Sequence, residues 1–216
     1  MTDRDQLLDE IREIAKRSRE ADRDAAVIEL LHIYLKHRPD DGFMWYTFGD
    51  SLRIIGLKDE AERALNTALA LCPEKRAWIL TRLARLYDDA GRHAEAEAAY
   101  AEACTDSEFG TFGWLWIMRG GNLAAATQLT AAEKCHRHAL TFNDEHVSRD
   151  EAFLNLGNVL RAMGRYTEAA DAYQSALEIT PDYTECLEAL DSLEDIEAAI
   201  QTAKELSKYG DPTPPT

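Results

Sequence analysis

Positive charge is scarce in this sequence: 24 lysines and arginines stand against 40 aspartates and glutamates, for a formal net charge of -16. Binding nucleic acid through a basic face needs clustered Lys and Arg, so the balance argues against that class and favours basic or neutral partners. Long apolar runs are missing as well. No window approaches the roughly 20 apolar residues of a membrane span, and Met1 is followed by Thr2, Asp3, Arg4 and Asp5 rather than by the apolar core of a signal peptide. The expectation is a soluble, cytoplasmic protein with no membrane partner. Catalytic signatures are equally sparse, with no phosphate-cradling Gly-rich loop, HExxH, GxSxG or CxxC. No enzymatic activity and no cofactor is expected. The four cysteines, Cys72, Cys104, Cys135 and Cys186, are widely spaced, each within or beside an apolar helix face, and are expected as buried free thiols.

What the chain does have is repetition. From Asp150 to Tyr183, large apolar residues fall at Phe153, Leu156 and Leu160, then at Tyr166, Tyr173 and Leu177, with Gly164 between the two sets and Pro181 closing the unit. Small residues stand where two helices would touch, at Gly157, Ala169 and Ala176. That is the pattern of one helical hairpin. The grammar returns at Gly42 (Trp45, Phe48, Gly49, Leu52, Gly56, Ala61, Leu65, Ala68, Pro73) and near Ala77 (Leu80, Leu83, Ala84, Tyr87, Gly91, Ala96, Tyr100, Ala103), where Glu108 replaces the closing proline. It is weaker from Gly113, with Trp116, Gly120 and Leu123 followed by Ala132, His136 and Ala139 and no glycine at the turn near Thr127. It is faintest at the start, where Leu7, Leu8, Ile11, Ile14 and Ala15 precede Val27, Ile28, Leu31 and Leu35, with Tyr34 where other copies have Ala. Copies starting near 8, 42, 77, 113 and 150 lengthen steadily, which predicts longer connections at 106–111 and 143–148.

These residues resemble the tetratricopeptide repeat, a helical-hairpin motif of about 34 residues. The resemblance covers about residues 8 to 183 and implies an all-α, right-handed superhelical solenoid of about five hairpins. The expected division is 1–41, 42–76, 77–112, 113–149 and 150–183 for the hairpins, a long capping helix over 184–209 and an unstructured tail over 210–216. The capping segment is strongly acidic, with nine acidic residues against two lysines between Asp182 and Asp211, and carries Leu187, Leu190, Leu193, Ile196, Ile200, Ala203 and Leu206 on its apolar face.

The resemblance also implies a concave groove lined by positions 2, 5, 6, 9 and 12 of each first helix. In the last four copies these are Phe43, Tyr46, Thr47, Asp50 and Arg53; Trp78, Thr81, Arg82, Arg85 and Asp88; Trp114, Ile117, Met118, Gly121 and Ala124; and Glu151, Leu154, Asn155, Asn158 and Arg161. Phe43, Trp78, Trp114 and Met118 would form an apolar wall, with Tyr46 beside it and Arg53, Arg82 and Arg85 as a basic patch in an otherwise acidic molecule. Asn155 and Asn158 offer donor and acceptor to a peptide backbone. Such a lining suits a protein or peptide with acidic and apolar side chains. The alternative is that the rings pack on neighbouring helices or loops. The Lys/Asn clamp by which some family members hold chaperone C-termini is absent, since its positions hold Tyr46 and Asp50, Thr81 and Arg85, and Leu154 and Asn158.

The expected function is therefore a non-enzymatic protein-interaction module. Self-association through the terminal helices, as a homodimer or assembly scaffold, is a second possibility. A metal site around Cys135, His136, His138 and His146 is a third, against which stands the divergence of helical neighbours one residue apart and a reading of one core cysteine with surface histidines.

Overall fold

The computed structural model describes residues 3–142 and 148–207, which contain eleven α-helices, two short 3-10 turns and no strand. His146, the rest of the connection at 143–147, the tail from 208 on, and the side chains of Ile200, Ala203 and Leu206 lie outside the described residues. The chain divides into two compact units, Met1–Thr111 and Phe112–Thr216. In the first, α1 (Asp3–Glu20) pairs with α2 (Asp24–His37), α3 (Gly42–Ile54) with α4 (Lys58–Leu71), and α5 (Arg76–Asp89) with α6 (His93–Ala103). Each pair lies on the next through α2 against α3 and α4 against α5. In the second, α7 (Gly113–Ala125) pairs with α8 (Leu129–Ala139) and α9 (Arg149–Ala162) with α10 (Tyr166–Ile179); α8 packs on α9, and α11 (Thr184–Ser207) on α10. Cys186, Ala189 and Leu193 of α11 are buried against Leu156, Leu160 and Tyr173.

One hydrogen bond makes every turn alike. The N–H five residues beyond a carbonyl near the end of each first helix folds back onto it: Arg23 to Ser18, Leu57 to Leu52, Arg92 to Tyr87, Gln128 to Leu123 and Arg165 to Leu160, all between 2.8 and 2.9 Å. This closure needs a left-handed residue just before the donor. Gly56, Gly91 and Gly164 supply it, and so do Asp22 (φ 52°) and Thr127 (φ 60°). A β-branched side chain in that region is strained by roughly 1–2 kcal/mol. Thr127→Gly is therefore expected to raise stability by about 1 kcal/mol after the extra chain entropy of glycine is subtracted, visible as a melting temperature a few degrees higher.

The hairpins close by a repeated seat. Leu31, Leu65, Tyr100, His136 and Tyr173 occupy the same offset of the second helices, and none is more than 1% exposed. The first helix offers a small residue opposite: a Cβ on Gly49, Gly120 or Gly157 would stand 2.8 Å from Leu65, 2.5 Å from His136 or 2.5 Å from Tyr173. A larger side chain would push the two helices apart, which is why glycine or alanine marks the position in the sequence. Two expectations change here. His136 is not a surface histidine but fills a core seat, and Cys104 is half-buried while the other three cysteines are buried; none of the four forms a disulfide. Tyr34 is also buried, its hydroxyl donating to Asp41 at 2.9 Å, so the first hairpin takes an aromatic ring where the others take Ala.

Candidate functional site

The first unit carries two adjoining hollows on the faces of α3 and α5. One is apolar, lined by Phe43 and Tyr46 of α3, Trp78 of α5 and Lys75 of the 3-10 turn before it. Phe43 and Tyr46 lie one turn apart with ring centroids at 6.0 Å. Trp78 stands edge-on to Phe109, at 4.6 Å and 63°, and Phe109 is buried in the turn that follows α6. That support holds the indole while leaving it 40% exposed, as is Phe43.

The second hollow is polar, about 460 Å³, and lined by Arg19, Asp22, Asp50, Arg53, Ile54, Arg82, Arg85 and Asp89. Asp50 sits at its base, 3% exposed. Arg19 Nη2 donates to its Oδ2 at 2.7 Å and Arg53 Nε to its Oδ1 at 3.1 Å, while Arg82 Nε stands 3.3 Å from Oδ2, too poorly aligned for a hydrogen bond. Burial alone would raise the Asp50 pKa; the charges of Arg82 and Arg53 and the hydrogen bonds from Arg19 and Arg53 outweigh it and hold the carboxyl below its ordinary value. Arg19 also reaches Asp24 at 3.2 Å and Arg53 reaches Asp89 at 3.6 Å. Among the described residues Arg85 makes no ion pair, and Arg82 makes none beyond Asp50. Tyr46 joins the hollows: its ring lines the first, and its hydroxyl, raised in pKa by burial with the Arg82 charge opposing, faces Arg82.

Tetratricopeptide-repeat family models match residues 34–107 and 112–182, more than half of the chain. The chain is a tetratricopeptide-repeat protein. It thus belongs to a family of protein-interaction modules, generally non-enzymatic. Solved structures agree in fold. A MamA fragment from Desulfovibrio magneticus RS-1 superposes with a TM-score of 0.73 at 16% identity, over 85% of this chain and 99% of that one. PilW, a type IV pilus biogenesis factor, gives 0.72 at 18% over 91% and 93%. YrrB, a repeat protein with an unusual peptide-binding site, gives 0.69 at 16% over 83% and 89%. None of the curated proteins matches the chain in sequence.

Repeat positions place the remaining sequence candidates. Thr47 and Thr81, expected in the groove, are buried, their hydroxyls donating to the carbonyls of Phe43 and Ala77 at 3.0 and 2.8 Å; a threonine that satisfies itself on its own helix is as easily packed as exposed. Ile117 is likewise buried, against Ala139 and Ala152. Arg53 is committed to Asp50 and Asp89 and is only 9% exposed, so the cationic patch reduces to Arg82 and Arg85. In the second unit, Trp114 is half-buried and stacked with Phe112 at 6.4 Å, Met118 and Asn155 are half-buried, and exposed Asn158 accepts the Tyr173 hydroxyl at 2.9 Å. Arg19, Asp22, Lys75 and Phe109 were missed. Arg19 was within reach, since position 12 of the copy starting near 8 is Arg19 just as position 12 of the next is Arg53. No group of three or more His, Cys, Asp or Glu able to hold a metal occurs among the described residues.

Proposed function

We propose that the first unit docks a peptide segment of a partner protein, one apolar side chain entering the Phe43/Tyr46/Trp78 hollow and a neighbouring carboxylate meeting Arg82 and Arg85. What carries the reading is the adjacency of exposed rings to Arg82 and Arg85, the guanidiniums of the hollow least engaged in ion pairs, joined at Tyr46. Aromatic faces supply contact area at small entropic cost and arginine forks match the two oxygens of a carboxylate. Lys75 at the rim disfavours a cation in the ring hollow. YrrB, which shares the fold, has an unusual peptide-binding site, and this use of the fold accords with the reading. Within the second unit, Trp114, Met118, Asn155 and Asn158 remain proposed peptide contacts in their own right. Four cysteines without bridges suit a reducing, cytoplasmic setting.

Trp78→Ala and Arg85→Ala are each expected to weaken binding of acidic-apolar peptides about ten-fold or more in calorimetric titration, with the melting temperature nearly unchanged. Affinity unaltered in both variants would remove this face from consideration.

A further inference from the structure

Granting the peptide-docking reading, on which this depends, we propose that the polar hollow selects a single carboxylate over a phosphate dianion, with the rim acids Asp22 and Asp89 setting the preference. An arginine-lined hollow would ordinarily suit phosphate, so the count of charges decides. Its four guanidiniums meet four carboxylates, those of Asp22, Asp24, Asp50 and Asp89, and the cluster is formally neutral before any ligand arrives. Two guanidiniums are spoken for: Arg19 is shared between Asp24 and Asp50, and Arg53 between Asp50 and Asp89. Arg82 is turned inward through Nε toward Asp50 and also meets the Tyr46 hydroxyl, and Arg85, without an ion pair among the described residues, follows one helical turn on. The Arg85 fork, with what Arg82 retains, suffices for the two oxygens of a carboxylate.

A phosphoryl group brings three oxygens and a charge of about -1.5 to -2. Its second negative charge would meet no excess of positive charge, since the cluster is already neutral, and it would lie beside two carboxylates at the mouth, where Asp22 is exposed and the Asp89 side chain is 58% exposed. Like charges at the rim disfavour the second negative charge more than the first. Phosphorylation of a partner next to its docking residue would then release it rather than recruit it.

The test uses the full chain and capped Gly/Ser peptides that carry one Leu and one variable residue, Glu, Gln or phosphoserine, at several spacings. Binding is followed by calorimetry, and by the fluorescence change lost in Trp78→Phe. The Glu peptide of the best spacing is expected to bind about ten-fold more tightly than its phosphoserine and Gln counterparts. The double variant Asp22→Asn, Asp89→Asn alters only exposed side chains, and is expected to shift the Glu-to-phosphoserine ratio about ten-fold toward phosphoserine. Phosphoserine binding the wild type as well as Glu, or a ratio unmoved in the variant, would overturn the selection while leaving docking intact. No binding of any peptide at any spacing would overturn docking itself, and the selection with it.

Discussion

Replacing Asp50 by alanine is expected to lower the unfolding free energy by about 3 kcal/mol, read as a lower urea midpoint at unchanged slope. The carboxylate, 3% exposed, touches guanidiniums from three hairpins: Arg19 of the first, Arg53 of its own and Arg82 of the third. It is the one charge that lets them approach each other. Without it, Arg53 keeps a 3.6 Å contact with Asp89 and Arg19 its 3.2 Å pair with Asp24, while Arg82 is left without a carboxylate. Breaking a buried ion pair from one side costs roughly 3–5 kcal/mol because the survivor is left uncompensated. The low end applies because Arg19 and Arg82, 28% and 19% exposed, can recover some water through the hollow. Asp50→Asn retains an acceptor oxygen but no charge and should fall between the two. A loss below about 1 kcal/mol would mean that the guanidiniums rehydrate fully and that the cluster does not tie the hairpins together.

The hairpins were legible because a helix pair leaves a double mark: apolar residues at helical spacing, and a small residue wherever two backbones meet. Gly49 and Gly157 carry that mark plainly. The turns were legible only where glycine fills the left-handed position. Asp22 and Thr127 adopt the same geometry without advertising it, so the first and fourth copies looked weaker than they fold. The site was less readable for a different reason. Offsets can say that Arg53, Arg82 and Asp50 share a face, but not that Asp50 sinks to the base of a hollow and takes Arg53 with it. Charge partnership depends on depth, and side-chain type does not encode depth: Thr81 and His136 are polar and fully buried, while Phe43 and Trp78 are apolar and open to solvent. Phe109 was hidden for the opposite reason, since a single aromatic residue in a connection has no periodicity to betray it.

Acid is expected to unfold the second unit earlier than its carboxylates alone would require, and His136 is the cause. Its ring is 0% exposed, pressed against the Cα of Gly120, with neither nitrogen hydrogen-bonded. Burial disfavours the imidazolium and brings the pKa down to about 4 in the folded chain, against 6.5 for an unperturbed histidine. The unfolded chain therefore takes up the proton first. Stability is intact above pH 6.5, falls as pH drops from there toward 4, and levels off below, with about 3 kcal/mol lost across the window at 1.36 kcal/mol per pKa unit. Carboxylates held low by arginine, such as Glu133 between Arg165 and Arg137, contribute only once the pH approaches their unfolded values near 4.5. Over the interval from 6.5 to 4.5 the His136 contribution is read as the difference between the wild type and a His136 variant, in which the other histidines cancel. Leucine fills the equivalent seat at Leu31 and Leu65, so His136→Leu is expected to flatten the urea midpoint across that interval. It should also raise stability at neutral pH by about 1 kcal/mol or more, since an orphaned ring N–H is replaced by hydrocarbon of similar volume. A variant whose acid slope matched the wild type would show that the imidazole is hydrated or paired in solution, and the core seat would then tolerate a charge that its packing denies.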